Sequence, residues 1–100
     1  MLTVRKLRAD GWPLVEVVEH YDVYQQRRHD LFGMWDVLAV DDDRTLAVQT
    51  TSYSNVPARI KKIADHPNLP ACRKAGWTLI VHGWAKKKGR WVLAREVDVS

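Results

Sequence analysis

Gly33-Met34-Trp35-Asp36-Val37-Leu38-Ala39-Val40, then Asp41-Asp42-Asp43-Arg44, then Thr45-Leu46-Ala47-Val48-Gln49-Thr50-Thr51, is the stretch on which the fold turns. The first run is almost continuously apolar over one strand's length, the pattern of a strand buried on both faces. The Asp-rich segment is a polar turn. The second run returns as a second strand, so the two form a hairpin at the centre of a sheet.

Working outward, residues 2–10 read as a short helix stopped by Gly11, with Leu2, Val4 and Leu7 toward a core and Arg5, Lys6 and Arg8 solvated. Pro13 to His20 holds Leu14-Val15-Glu16-Val17-Val18-Glu19, whose β-branched residues predict a strand. Residues 21–32 show no period and read as a long connection carrying Arg27-Arg28-His29. Beyond the hairpin, Ser54 or Asn55 can cap a helix with Pro57 in its first turn. Val56, Ile60 and Ile63 make its apolar stripe, with Arg59, Lys62 and His66 beside it. Pro67 ends that helix, and Leu69 to Ala75 forms a second one stopped by Gly76. Trp77 to Trp84 is a strand, Lys86-Lys87-Lys88-Gly89-Arg90 a basic turn, and Trp91 to Val99 the last strand. The order α-β-β-β-α-α-β-β describes one α/β domain, residues 1–100, with a mixed central sheet flanked by helices.

The composition agrees with one folded domain. The 100 residues are 46% hydrophobic and 28% charged, which argues against disorder. A chain this short buries one modest core, so a site must lie at the edge of that core. The net charge of +4 favours a polyanionic partner. Cys72 stands alone, no Cys/His spacing suggests zinc, and no stretch is long and apolar enough for a bilayer. Residues 1–10 lack the apolar run of a signal peptide, so the expected location is the cytoplasm.

Two polar residues interrupt the central strands. Asp36 shares a face with Leu38 and Val40, and Gln49 shares one with Ala47 and Thr51. A buried Asp is costly unless it is hydrogen-bonded, paired or bound to metal. Asp36 therefore reads either as a metal ligand or as a structural hydrogen-bonded residue. Gln49 reads as part of the same site or as an inter-strand bond. Thr51 also fits as a plain β-former, and Glu19 as an exposed strand residue. Asp30 fits a turn or an ion pair beside Arg28 and His29. The four histidines and Trp77, Trp84 and Trp91 read first as packing or surface residues.

This arrangement resembles the PD-(D/E)XK nuclease superfamily, which includes restriction endonucleases and archaeal-type Holliday-junction resolvases. Arg28-His29-Asp30-Leu31-Phe32-Gly33, Val48-Gln49-Thr50-Thr51-Ser52, Ser54-Asn55-Val56, Arg59-Ile60-Lys61-Lys62-Ile63 and Ala75-Gly76-Trp77 also look like small uncharacterised phage and prophage proteins. The resemblance implies a restriction-endonuclease-like core and a Mg²⁺ site. Asp36 matches the superfamily's first aspartate. Gln49 falls where the second acid would be, and Thr51 where the lysine would be. Glu19 is the nearest additional acid. The implied catalytic set is Asp36, Gln49, Thr51, Glu19 and Lys62, with the metal on Asp36, Gln49 and Glu19. A neutral amide in place of a carboxylate weakens a Mg²⁺ site, and a basic residue of the next helix, Lys62, Arg59 or Lys61, would have to replace the lysine.

The expectation is a Mg²⁺-dependent DNA endonuclease or junction resolvase of phage or prophage origin, acting in the bacterial cytoplasm on branched DNA. The resemblance also implies a homodimer. Arg27, Arg28, Arg59, Lys61, Lys86, Lys87, Lys88 and Arg90 are the candidate DNA contacts. Two rival readings remain open: a DNA-binding module that kept the fold without the chemistry, and a phage accessory or assembly protein.

Overall fold

The central hairpin forms because both of its faces are covered. The computed structural model describes all 100 residues. Its strands β1 (Leu14–Val17), β4 (Val37–Asp41), β5 (Arg44–Ser52), β6 (Thr78–Lys87) and β7 (Arg90–Asp98) make one mixed sheet in the order β1-β4-β5-β6-β7. Neighbours run antiparallel except β5 and β6, which are parallel. A parallel pair requires a crossover. Here α2 (Val56–Ala64) and α3 (Leu69–Lys74) supply it, after a 3-10 turn over Tyr53–Asn55.

Alternation along β4 and β5 sorts the core into two layers. Val37, Ala39, Leu46 and Val48 pack with Val15 against Val4 and Leu7 of α1 (Leu2–Ala9). Ala47, Leu79 and Val81 face the other way, onto Val56, Ile63, Leu69 and Cys72 of the crossover helices and onto Met34 and Trp35. Gln49 lies on the crossover side of β5 with Ala47. Thr50 lies on the α1 side, where its hydroxyl meets that of Thr3 at 3.1 Å. No helix is long and apolar enough to cross a membrane.

Three boundaries differ from the sequence reading. The stretch 21–32 is no featureless connection: β2 (His20–Asp22) and β3 (Arg27–His29) pair there as a separate two-stranded sheet. The first sheet strand ends at Val17, which leaves Glu19 at the base of this small hairpin. Finally, β4 begins at Val37 rather than Met34, because Trp35 is bridged back to Leu31 instead of joining the ladder.

Candidate metal centre

Asp36 precedes β4 and is 3% exposed. Its carboxylate oxygen Oδ2 accepts two hydrogen bonds, from Gln49 Nε2 at 2.6 Å and from the Thr50 amide at 2.8 Å. The two sequence-predicted residues therefore meet. Their chemistry is not that of two ligands, however: Gln49 turns its amide nitrogen toward Asp36 and holds the carboxylate by donation. An amide nitrogen in that pose does not ligate a cation, and Gln49 is a positioning residue for Asp36.

The residues that do gather oxygens are Glu19, Asp30 and Asp36, each offering a carboxylate oxygen within 4.8 Å of the others. Asp30 thus takes the place foreseen for Gln49. It has no ion-pair partner, since Arg28 bonds Glu19 at 2.9 Å and His29 faces Asp22 at 3.6 Å. Asp30 is carried to Asp36 by a tight turn in which Gly33 N–H donates to the Asp30 carbonyl at 2.9 Å. Phe32 and Gly33 both take positive φ in that turn, 57° and 80°. Asn68 anchors it by donating from Nδ2 to the Phe32 carbonyl at 3.0 Å. A Cβ on Gly33 would stand 2.6 Å from His66 Nε2, so any other residue would have to displace that imidazole as well as adopt a left-handed φ.

Three carboxylates this close cannot all be charged without compensation. Burial, first, then the hydrogen bond and charge of Asp30 and the hydrogen bond of Glu19 push Asp36 up to about 8, against the pull of the Thr50 amide. Without a cation the cluster as a whole favours holding a proton. A divalent cation supplies the missing charge, and hard carboxylate oxygens are the donors that Mg²⁺ or Mn²⁺ prefers. The donor set therefore fits such an ion.

Around this centre the other candidates scatter. Thr51 is half-buried on the face of Gln49, and its side chain makes no hydrogen bond. Lys61 and Lys62 are exposed on α2 and Arg59 is half-buried, all three without a polar partner in the fold. None of them touches the carboxylates, so the helix does not replace the motif lysine in this geometry. Arg28 is the cation that does touch the cluster, through Glu19. Lys86, Lys87, Lys88 and Arg90 are exposed where β6 and β7 run beyond the end of β5, whose last residue, Ser52, pairs with Trp84.

A polar network lies behind the site. Thr3 Oγ1 sits 3.1 Å from His82 Nδ1 and accepts from Trp84 Nε1 at 3.0 Å. It ties α1 to Thr50, the residue whose amide holds Asp36. Nothing in the spacing of Thr3, Thr50, His82 and Trp84 announces this network, because its members come from three elements far apart in the chain. Comparison with protein-family models, with curated proteins and with solved structures finds no match to this chain.

Proposed function

We propose that the chain is a divalent-cation-dependent DNA-processing protein of the endonuclease or junction-resolvase type, with Glu19, Asp30 and Asp36 as cation ligands. The observation that carries this reading is the convergence of the three carboxylates within 4.8 Å beside a buried, doubly hydrogen-bonded Asp36. The sheet order adds support: three antiparallel strands followed by a helical crossover to a parallel strand is the arrangement expected of a restriction-endonuclease-like core. When bound, Mg²⁺ polarises a phosphodiester oxygen and lowers the pKa of water.

The chain's own residues divide the remaining work. Gln49 and Thr50 fix the Asp36 carboxylate, so its orientation costs little when a cation arrives. Arg28 neutralises Glu19 and presents its guanidinium to a phosphate at the rim. The exposed Lys86, Lys87, Lys88 and Arg90, with Arg27, give the backbone-directed charge that DNA binding requires. Arg59, Lys61 and Lys62 belong to this outer charge rather than to the reacting centre.

One observation favours a second reading, a binding module without chemistry: Thr51 stands at the lysine position and no lysine reaches the carboxylates. A cleavage assay on branched, flapped and linear DNA separates the two. The nuclease reading expects strand scission with Mg²⁺ or Mn²⁺ that chelator and Asp36→Ala abolish. Salt-sensitive binding in chelator, unchanged in Asp36→Ala and without scission under any metal, would favour the binding module.

A further inference from the structure

The small β2–β3 hairpin lies outside the main sheet, yet it is built to hold a fixed shape. Asp22 Oδ1 accepts from the amides of Tyr24 at 2.8 Å and Gln25 at 3.1 Å, which sets the turn, and Gln26 closes it with φ 54°. His20 and His29 stack across it with ring centroids 5.6 Å apart. Against that rigidity its largest side chains are left in solvent. Tyr24 is 96% exposed, Val23 69% and Tyr21 57%. None of the three belongs to either core layer.

The register ties the hairpin to the carboxylates. His20 pairs with His29, and Tyr21 with Arg28. Directly paired residues point to one face, and side chains two apart on a strand share it. Continued outward by one step, the register sets Glu19 opposite Asp30, on the face that bears Tyr21 and Arg28. One face of the hairpin therefore carries two cluster carboxylates at its base. The next row up, at a rise of about 7 Å, holds an exposed aromatic ring beside an arginine.

We infer that this hairpin is a base-stacking finger, and that the substrate is DNA with unpaired nucleotides next to the cleaved phosphate rather than intact duplex. This rests on the reading of Glu19, Asp30 and Asp36 as the cation site, since that reading places the reacting phosphate at the finger's base. Exposed aromatic rings interleaved with arginine form the surface that single-stranded nucleic acid recognises. Each base has a π-face to stack, and Arg28, paired with Tyr21 on the same face, meets the adjoining phosphate. In intact duplex the bases are already stacked on one another and offer these rings no face. At about 3.4 Å per stacked base, a row 7 Å from the carboxylates puts the clasped base about two steps from the scissile phosphate.

The test is fluorescence of a flapped DNA carrying 2-aminopurine in its unpaired arm, titrated with wild type, Tyr21→Ala/Tyr24→Ala and Tyr21→Phe/Tyr24→Phe in chelator, with a matched duplex alongside. The expected result is quenching by wild type and by the Phe variant. The Ala variant should lose it, with affinity for the flap falling about 5- to 100-fold and duplex affinity unchanged. Equal behaviour of all three proteins on the flap, or an equal loss on flap and duplex, would overturn the finger. So would a change of sedimentation in the Ala variant, which would make the rings a contact between copies of the chain. Mn²⁺ titration of the same proteins keeps the two readings apart. Binding of Mn²⁺ without quenching retires the finger and leaves the cation site. Quenching without Mn²⁺ binding retires the site and leaves a finger that reads unpaired bases.

Discussion

Asp36→Asn should make the metal-free protein more stable while removing its response to cations. Gln49 and Thr50 donate to the same carboxylate oxygen, Oδ2. The Asn carbonyl oxygen can take that place and keep both bonds, and its amide then donates toward the carboxylates of Asp30 or Glu19. The sign follows from the raised pKa. Asp36 moves from 3.8 to about 8 on folding, so the unfolded chain releases its proton first. Folding loses stability as pH climbs from about 4 through 8, whereas Asn carries no such term. About four units at 1.36 kcal/mol each set a ceiling of roughly 6 kcal/mol at high pH. That shift belongs to three coupled carboxylates rather than to Asp36 alone, and a gain of about 1–2 kcal/mol at pH 8 is expected from the single substitution. For a domain of this size that is a rise in Tm of about 5–10 °C. Thermal melts of both proteins in chelator at pH 4, 6 and 8 read it directly. The curves should coincide at pH 4 and separate by pH 8, and Mn²⁺ should raise the Tm of wild type alone. If Asp36→Asn is the less stable protein at pH 8, Asp36 is a structural residue and crowding of the carboxylates does not limit the stability of the fold.

Three further outcomes follow from the same geometry. Gln49→Glu replaces a donated hydrogen bond at 2.6 Å with a fourth acid, so the chelated protein should lose about 1–3 kcal/mol at pH 8 while binding Mn²⁺ more tightly; melts with and without the ion measure both. Arg28→Ala frees Glu19 from its ion pair and should strengthen Mn²⁺ binding by a few-fold at most, since the Arg28 end of the pair is exposed and screened by solvent, while weakening DNA; calorimetry and a DNA titration must move in opposite directions. Gly33→Ala demands a left-handed φ of an L side chain and drives it against His66, which should cost about 1–3 kcal/mol and pull Asp30 off the cluster; full Mn²⁺ affinity in a folded Gly33→Ala protein would contradict the role given to this turn.

The sheet was legible because burial writes itself into sequence. Val37-Leu38-Ala39-Val40 and Leu46-Ala47-Val48 are apolar on both parities, and only a strand between two covering layers needs that. Asp36 and Gln49 stood out as polar breaks in those runs, and they meet as the alternation requires. The β2–β3 hairpin was invisible for the opposite reason. His20-Tyr21-Asp22 and Arg27-Arg28-His29 bury neither face, so backbone pairing and the Asp22 turn hold them without any apolar period. Asp30 was missed with it. Its place depends on the hairpin register and on the φ angles of Phe32 and Gly33, and of these only Gly33 leaves a mark in the sequence. The lysines of α2 were overvalued, because a helical stripe tells which residues avoid the core and says nothing of which reach a site on another element.

The ion itself is the most direct test. Titrating Mn²⁺ into wild type and into Asp30→Asn by calorimetry, with circular dichroism to show that both are folded, asks whether three acids from the hairpin base and the strand edge form one centre. One ion per wild-type chain is expected, with binding lost in Asp30→Asn. Folded wild type that takes up no Mn²⁺ at millimolar concentration, or Asp30→Asn that binds as wild type does, would contradict the account.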